Sequence, residues 1–183
     1  MKHLNESVPS LREWGAVKTL KIAAESGNYG LLCAIRISFS KHGTQEDDLF
    51  ALAAALLDAA SFTADSKVKK LNVNRWDAGA FILAEFENEI TAEIELNLGL
   101  PPSMPGIYFV TGYCSNGIVT NQPLTGYFNS GGVLQADETS CRTFLVDRDI
   151  CDDEIVQARC RAAALELPPV SSAVIDLMKE NFQ

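Results

Sequence analysis

Two alternating runs in the middle of the chain constrain its fold more than any other feature. Ile82, Ala84 and Phe86 alternate with Phe81, Leu83 and Glu85, and Ile90, Ala92, Ile94, Leu96 and Leu98 alternate with Thr91, Glu93, Glu95 and Asn97. A period of two marks a strand with one buried face. Facing residues of an antiparallel pair lie on one side of the sheet, so matching Phe86 with Ile90 puts the turn at Glu87-Asn88-Glu89 and excludes a two-residue loop. That register stacks Ile82 on Ile94 and Ala84 on Ala92 toward a core. It leaves Phe81, Leu83, Glu93 and Glu95 on the other face, a mixture compatible with cover by a second copy of the chain and also with scattered apolar residues on a wet surface.

A hairpin with one apolar face needs a second layer, and the flanking segments supply helices. Ser10-Leu11-Arg12-Glu13 has the form of a capping box, and Leu11, Trp14, Val17 and Leu20 recur at helical spacing, predicting a helix from about Ser10 to Ser26 with Gly27 as its left-handed cap. Leu31 to Phe39 alternates as a strand, and Ser40-Lys41-His42-Gly43 reads as a loop. Thr44-Gln45-Glu46-Asp47 then resembles an N-cap with acids in the first turn, opening an Ala- and Leu-rich buried helix from Leu49 to Ala60. Beyond Pro101-Pro102, Ile107–Ser115 and Ile118–Asn121 are expected to pair about an Asn116-Gly117 turn. A further hairpin near Asn129-Ser130-Gly131-Gly132, a strand at Arg142–Val146, a helix over Asp152–Leu165 and a short final helix over Val170–Phe182 complete the reading. With no repeat and no linker, residues 1–183 read as a single α+β domain, a predominantly antiparallel open sheet with helices packed on one face.

Charge and composition exclude several partners. A net charge of −9 repels phosphate, which argues against nucleic acid and against an anionic membrane surface. The short basic run Lys67, Lys69, Lys70 reads as a solvated strand end. No stretch approaches the roughly 20 apolar residues of a membrane span, and Met1-Lys2-His3 leads into polar Asn5, Glu6 and Ser7 instead of a signal-peptide core, so the expected location is cytoplasmic. Five cysteines form an odd set without a Cys-x-x-Cys pair, which argues for reduced, mostly buried thiols; two histidines without ligand spacing give no metal site.

Catalytic and cofactor motifs are absent. No Gly-x-Gly-x-x-Gly follows a strand, and there is neither a phosphate loop nor a Gly-x-Ser-x-Gly elbow, so no cofactor is expected to bind this chain alone. Lys41, His42, Asp47 and Asp48 cluster between a strand end and a helix start, where His42 and Asp48 would make an acid/base pair if the loop folded back. The alternative is a solvated connection with helix-capping acids. A small-ligand pocket over the helix-covered face, near Lys41, His42, Asp48 and Trp76, is a further reading.

Several stretches resemble the C-terminal substrate domain of the Gfo/Idh/MocA oxidoreductase family. Leu11-Arg12-Glu13-Trp14-Gly15-Ala16-Val17-Lys18-Thr19-Leu20, running on to Glu25-Ser26-Gly27-Asn28-Tyr29-Gly30, resembles the family's helix ending in Ser-Gly-x-x-Gly before a strand. Phe81 to Asn88 followed by Ile90 to Ile94 resembles its central hairpin, and Tyr113 to Val119 its later turn between strands. In that family an N-terminal Rossmann domain holds NAD or NADP and a catalytic lysine in Glu-Lys-Pro, and the substrate domain adds Asp-x-x-x-His on a helix. The resemblance implies that this chain starts where the Rossmann domain would end, so NAD(P) enters only if a separate Rossmann-domain chain is a partner. It places Asp-x-x-x-His on Asp48 to Leu52, with leucine where the histidine would stand, and leucine neither donates nor accepts a proton. It also implies a homodimer through the sheet face bearing Phe81, Leu83, Glu93 and Glu95. The expected function is a non-catalytic dimerisation or binding module, inactive alone. The alternatives are a subunit or fragment of an NAD(P)-dependent sugar or polyol oxidoreductase, or a small-ligand binder.

Overall fold

The hairpin at residues 81–98 sits inside a seven-stranded sheet of order β2-β3-β4-β1-β5-β6-β7. The strands are β1 (Leu32–Ser40), β2 (Val68–Trp76), β3 (Gly79–Phe86), β4 (Thr91–Asn97), β5 (Ile107–Cys114), β6 (Gly117–Thr120) and β7 (Arg142–Leu145), with helices α1 (Gly15–Ser26), α2 (Leu49–Ala64) and α3 (Ser172–Asn181). The computed structural model describes residues 8–43, 48–121, 142–145 and 168–182. The expected Thr44–Asp47 turn, the hairpin at Asn129–Gly132, the helix over Asp152–Leu165 and residue His3 lie outside those residues. Four strand pairs are antiparallel, while β1 with β4 and β6 with β7 run parallel.

The central register is the one parity requires. Ile82 faces Ile94 and Ala84 faces Ala92. The three-residue turn is closed by Phe86 N–H donating to the Ile90 carbonyl at 2.9 Å, with Glu89 at φ 67°. Residues 68–97 form a meander, but β1 then inserts between β4 and β5, so the two are not neighbours. That parallel insertion is a long-range pairing which local alternation does not encode.

The three described helices cover one face. α2 packs on β1, β3 and β4, α1 on α2 and β5, and α3 on α2 and β2. Alanines 53, 54, 55, 59 and 60 are buried, which lets α2 lie close to the sheet, with Leu56 and Leu57 filling the gap. Phe39 at the end of β1 meets Trp14 and Tyr108 edge-on, at centroid distances of 6.5 and 4.8 Å. Each such buried aromatic contributes on the order of 2–3 kcal/mol through burial. Gly27 at φ 68° caps α1 as expected.

Several local expectations are corrected. The capping box does not form, because α1 begins at Gly15 and Ser10 is drawn elsewhere: its hydroxyl accepts from Arg12 N–H and donates to Asp58. Arg12 completes this site, with Nε and Nη2 donating to the two Asp58 carboxylate oxygens at 2.9 and 2.7 Å. Asp58, the one charge in α2, is thereby buried and paired, and it holds the Arg12 guanidinium above even its usual high pKa. α2 runs to Ala64, where Asp65 takes a left-handed cap conformation. The β5–β6 turn falls at Ser115-Asn116, one residue before the expected pair, since Gly117 is already paired with Cys114. Hydrogen bonds from Ser115 N–H to the Leu31 carbonyl and from Asn116 N–H to the Tyr29 carbonyl tie the turn to the start of β1, and these outweigh its intrinsic preference. Cys33 is exposed, contrary to the buried-thiol expectation.

Candidate functional site

The strand-end cluster does not assemble as an acid/base pair. Lys41, His42 and Gly43 are not a free loop; Lys41 N–H donates to the Asn97 carbonyl, Gly43 N–H to that of Leu98, and His42 bridges to Gly99. His42 Nδ1 donates to the Leu100 carbonyl at 2.9 Å, which gives the neutral ring the Nδ1–H tautomer. Asp48 caps α2, its carboxylate accepting from Ala51 N–H at 3.1 Å. Both side chains are thus directed to backbone groups, and among the described residues no hydrogen bond or ion pair joins them. Leu52, one turn on, is 2% exposed in the core.

Trp76 lies on the face of the sheet away from the helices, not on the helix-covered face. A Cβ on Gly79 would collide with its indole, and Gly79 shares the strand face of Phe81 and Leu83, away from buried Ala80 and Ile82. The pocket that would join Trp76 to His42 and Asp48 over the helices is therefore not formed. Glycine is required at position 79 for the ring to lie on the strand.

The sheet face away from the helices does gather the residues expected there. Across the strands run the rows Asn74–Phe81–Glu95–Ser38–Phe109 and Asn72–Leu83–Glu93–Arg36–Thr111. Next to them lies Lys70–Glu85–Thr91–Ala34–Tyr113. Leu83 is 47% exposed and Tyr113 40%, on a shallow concavity of about 600 Å³. Arg36 pairs with Glu93 at 3.4 Å, while Lys69 and Lys70 approach the two oxygens of Glu85 at 2.7 and 3.2 Å. Those lysines hold the Glu85 carboxyl below its usual range, Lys69 most, and Glu85 in turn raises Lys69.

The sequence marks Lys67, Lys69 and Lys70 as a strand end, but neither the full extent of β2 nor the Arg36–Glu93 pair is evident from it. The β2 signal is weak because Val68, Leu71 and Val73 are its main apolar residues and its outer face is Lys70, Asn72 and Asn74, a composition that suits a charged edge. Arg36 and Glu93 each have outward parity in their strands, but only the β1–β4 pairing brings them together. Among the described residues no group of three or more His, Cys, Asp or Glu side chains is placed to hold a metal, and no helix is long and apolar enough to cross a membrane.

No protein-family model and no curated protein matches the sequence. Solved structures do match the fold. The myo-inositol dehydrogenase of Lactobacillus casei, solved with NAD(H) and myo-inositol, superposes with a TM-score of 0.58 at 11% identity over 92% of this chain and 54% of its own. A probable dehydrogenase from Thermotoga maritima gives 0.58 at 14% identity over 93% and 58%. An oxidoreductase from Agrobacterium radiobacter, solved with NAD+, L-tartaric acid and magnesium, gives 0.56 at 16% over 93% and 59%. The chain spans little more than half the length of these enzymes. It has the fold of the C-terminal domain of Gfo/Idh/MocA-type oxidoreductases.

Proposed function

We propose that this chain is a non-catalytic association module that forms a homodimer through the open sheet face. The observation that carries this reading is the exposure of Leu83, beside Phe81 and Tyr113, on a face that the described helices leave uncovered. A two-fold interface places the same patch against itself, so it must be self-complementary. The face meets that condition electrostatically: Arg36, Lys69 and Lys70 are matched by Glu85, Glu93 and Glu95, although the whole chain carries −9. Two copies meeting here do not bring a net like charge together. The absence of a catalytic role rests on Leu52 at the histidine position and on the separate engagements of His42 and Asp48.

Sedimentation equilibrium of the wild type and of Leu83→Lys tests the reading. The wild type is expected to sediment as a dimer at micromolar concentration, and the variant to dissociate at least tenfold more readily with little change in Tm. A variant that self-associates like the wild type would count against this face.

A second reading is an oxidoreductase part that works with a separate Rossmann-domain chain. It is favoured by the match to about half of enzymes solved with NAD(H) or NAD+. Calorimetric titration with NAD(H) and NADP(H) is expected to show no binding by this chain alone; if this reading holds, binding appears when the partner is added.

A further inference from the structure

The start of β1 and the end of β5 each carry a thiol, Cys33 and Cys114, at the one point where the two strands shift register. Leu32 pairs with Cys114 and Ala34 with Tyr113, so the register shifts at Cys33. In such a bulge one strand carries an extra residue; Leu32 is the direct partner of Cys114, and Cys33 is the unpaired residue next to it. Directly opposed residues such as Leu32 and Cys114 lie about 4.5–5.5 Å apart at Cα, so Cys33, the next residue along, stands near the roughly 4.4–6.8 Å reach of a disulfide. The segment is held in place beyond the strands. Leu31 N–H donates to Ser115 Oγ at 3.0 Å, and the Leu31 carbonyl accepts from Ser115 N–H at 2.8 Å.

We propose that Cys33 and Cys114 form a redox-active dithiol that closes to a disulfide between β1 and β5 when the protein meets a low-molecular-weight disulfide. The two thiols differ in a way that assigns their roles. Cys33 is exposed, with its S–H donating to the Leu31 carbonyl at 3.3 Å, so an outside oxidant reaches it first. Cys114 is half-buried, and burial, followed by the nearness of Cys33, pushes its thiol up. It is the poorer first nucleophile and the resolving partner.

In the first step the Cys33 thiolate attacks one sulfur of the oxidant RSSR, forming the Cys33–SR mixed disulfide and releasing RS−. Cys114 then loses its proton to solvent and attacks the Cys33 sulfur; the Cys33–SR bond breaks and the second RS− leaves. The protein gives up two electrons and two protons, and the oxidant becomes two RSH. The new bond closes a loop of about 80 residues enclosing α2, β2, β3 and β4, a length at which cross-linking restricts the unfolded chain strongly.

The test exposes the full chain to glutathione disulfide and glutathione in graded ratios, blocks free thiols with an alkylating agent and maps the peptides by mass spectrometry. It is run on the unsubstituted protein and on a variant with Cys141, Cys151 and Cys160 changed to Ser. A Cys33–Cys114 linked peptide lacking two hydrogens is expected in both. Tm should rise by several degrees and return on reduction with dithiothreitol. In Cys114→Ser, Cys33 is expected to stop at the glutathione adduct. The proposal is overturned if Cys33 keeps glutathione while Cys114 is alkylated, if both remain free at every ratio, or if Cys33 links instead to Cys141, Cys151 or Cys160.

Discussion

Changing Arg12 to methionine is expected to lower the unfolding free energy by about 3 kcal/mol, because it strands a buried charge. Asp58 is 1% exposed on α2 and receives three hydrogen bonds, two from the Arg12 guanidinium and one from Ser10. Methionine keeps an unbranched apolar chain near the Phe62 ring, over which the guanidinium sits at 5.6 Å, so the loss is chiefly that of the ionic partner. Because the Arg12 side chain is 29% exposed, water can reach part of the vacated site, and the cost should fall at the low end of the roughly 3–5 kcal/mol range for one-sided removal. The double variant Arg12→Met/Asp58→Leu replaces the pair with apolar groups and should recover to within about 1 kcal/mol of the wild type. Urea denaturation reads all of these. A single variant indistinguishable from the wild type would show that the Arg12–Asp58 pair does not anchor the segment before α1 to α2.

Restoring the missing histidine by Leu52→His is expected to destabilise the domain by about 2–4 kcal/mol without creating activity. Position 52 is 2% exposed, packed among the residues that join α2 to the sheet. An imidazole there exchanges apolar contact for a polar ring without an evident partner. Desolvation lowers the pKa of such a ring below its unfolded value of about 6.5, so between the two values the unfolded chain binds more protons than the folded one. Stability of the variant should therefore fall further, relative to the wild type, as pH drops below about 6.5. Thermal melts across roughly pH 5 to 8, the range in which histidine changes charge, check this. A variant as stable as the wild type, whose introduced imidazole gives an exposed and titrating resonance, would mean that the position opens to a site after all.

Local periodicity and turn chemistry carry the part of the fold that is legible in the sequence. Parity alone places Phe86 opposite Ile90 and so sorts Phe81, Leu83, Glu93 and Glu95 onto one face. Gly27 is readable as a cap because a left-handed residue after an amphipathic run leaves few alternatives. Pairings between distant segments are not readable. Ser10 and Glu13 carry the capping pattern, yet Asp58, 48 residues away from Ser10, takes the serine hydroxyl for a buried ion pair. The turn expected at Asn116-Gly117 lies one residue earlier because Tyr29 and Leu31 hold the neighbouring amides. The candidate site fails in the same way. Lys41, His42 and Asp48 are close in sequence, but His42 belongs to a bridge with Gly99 and Asp48 to the first turn of α2. Trp76 cannot be assigned to the correct side from the sequence because β2, the strand that fixes its direction, has too few apolar residues for its full extent to be recognised.

The central claim, that the open sheet face is covered by a second copy, is tested most directly by hydroxyl-radical footprinting at rising protein concentration. Leu83 and Tyr113 report on that face, while Ile22 on α1, 63% exposed, lies off it and serves as an internal reference. Labelling of Leu83 and Tyr113 is expected to fall as the dimer forms, with Ile22 unchanged. Unchanged labelling of Leu83 and Tyr113 across the full concentration range, or protection confined to Ile22, would contradict it.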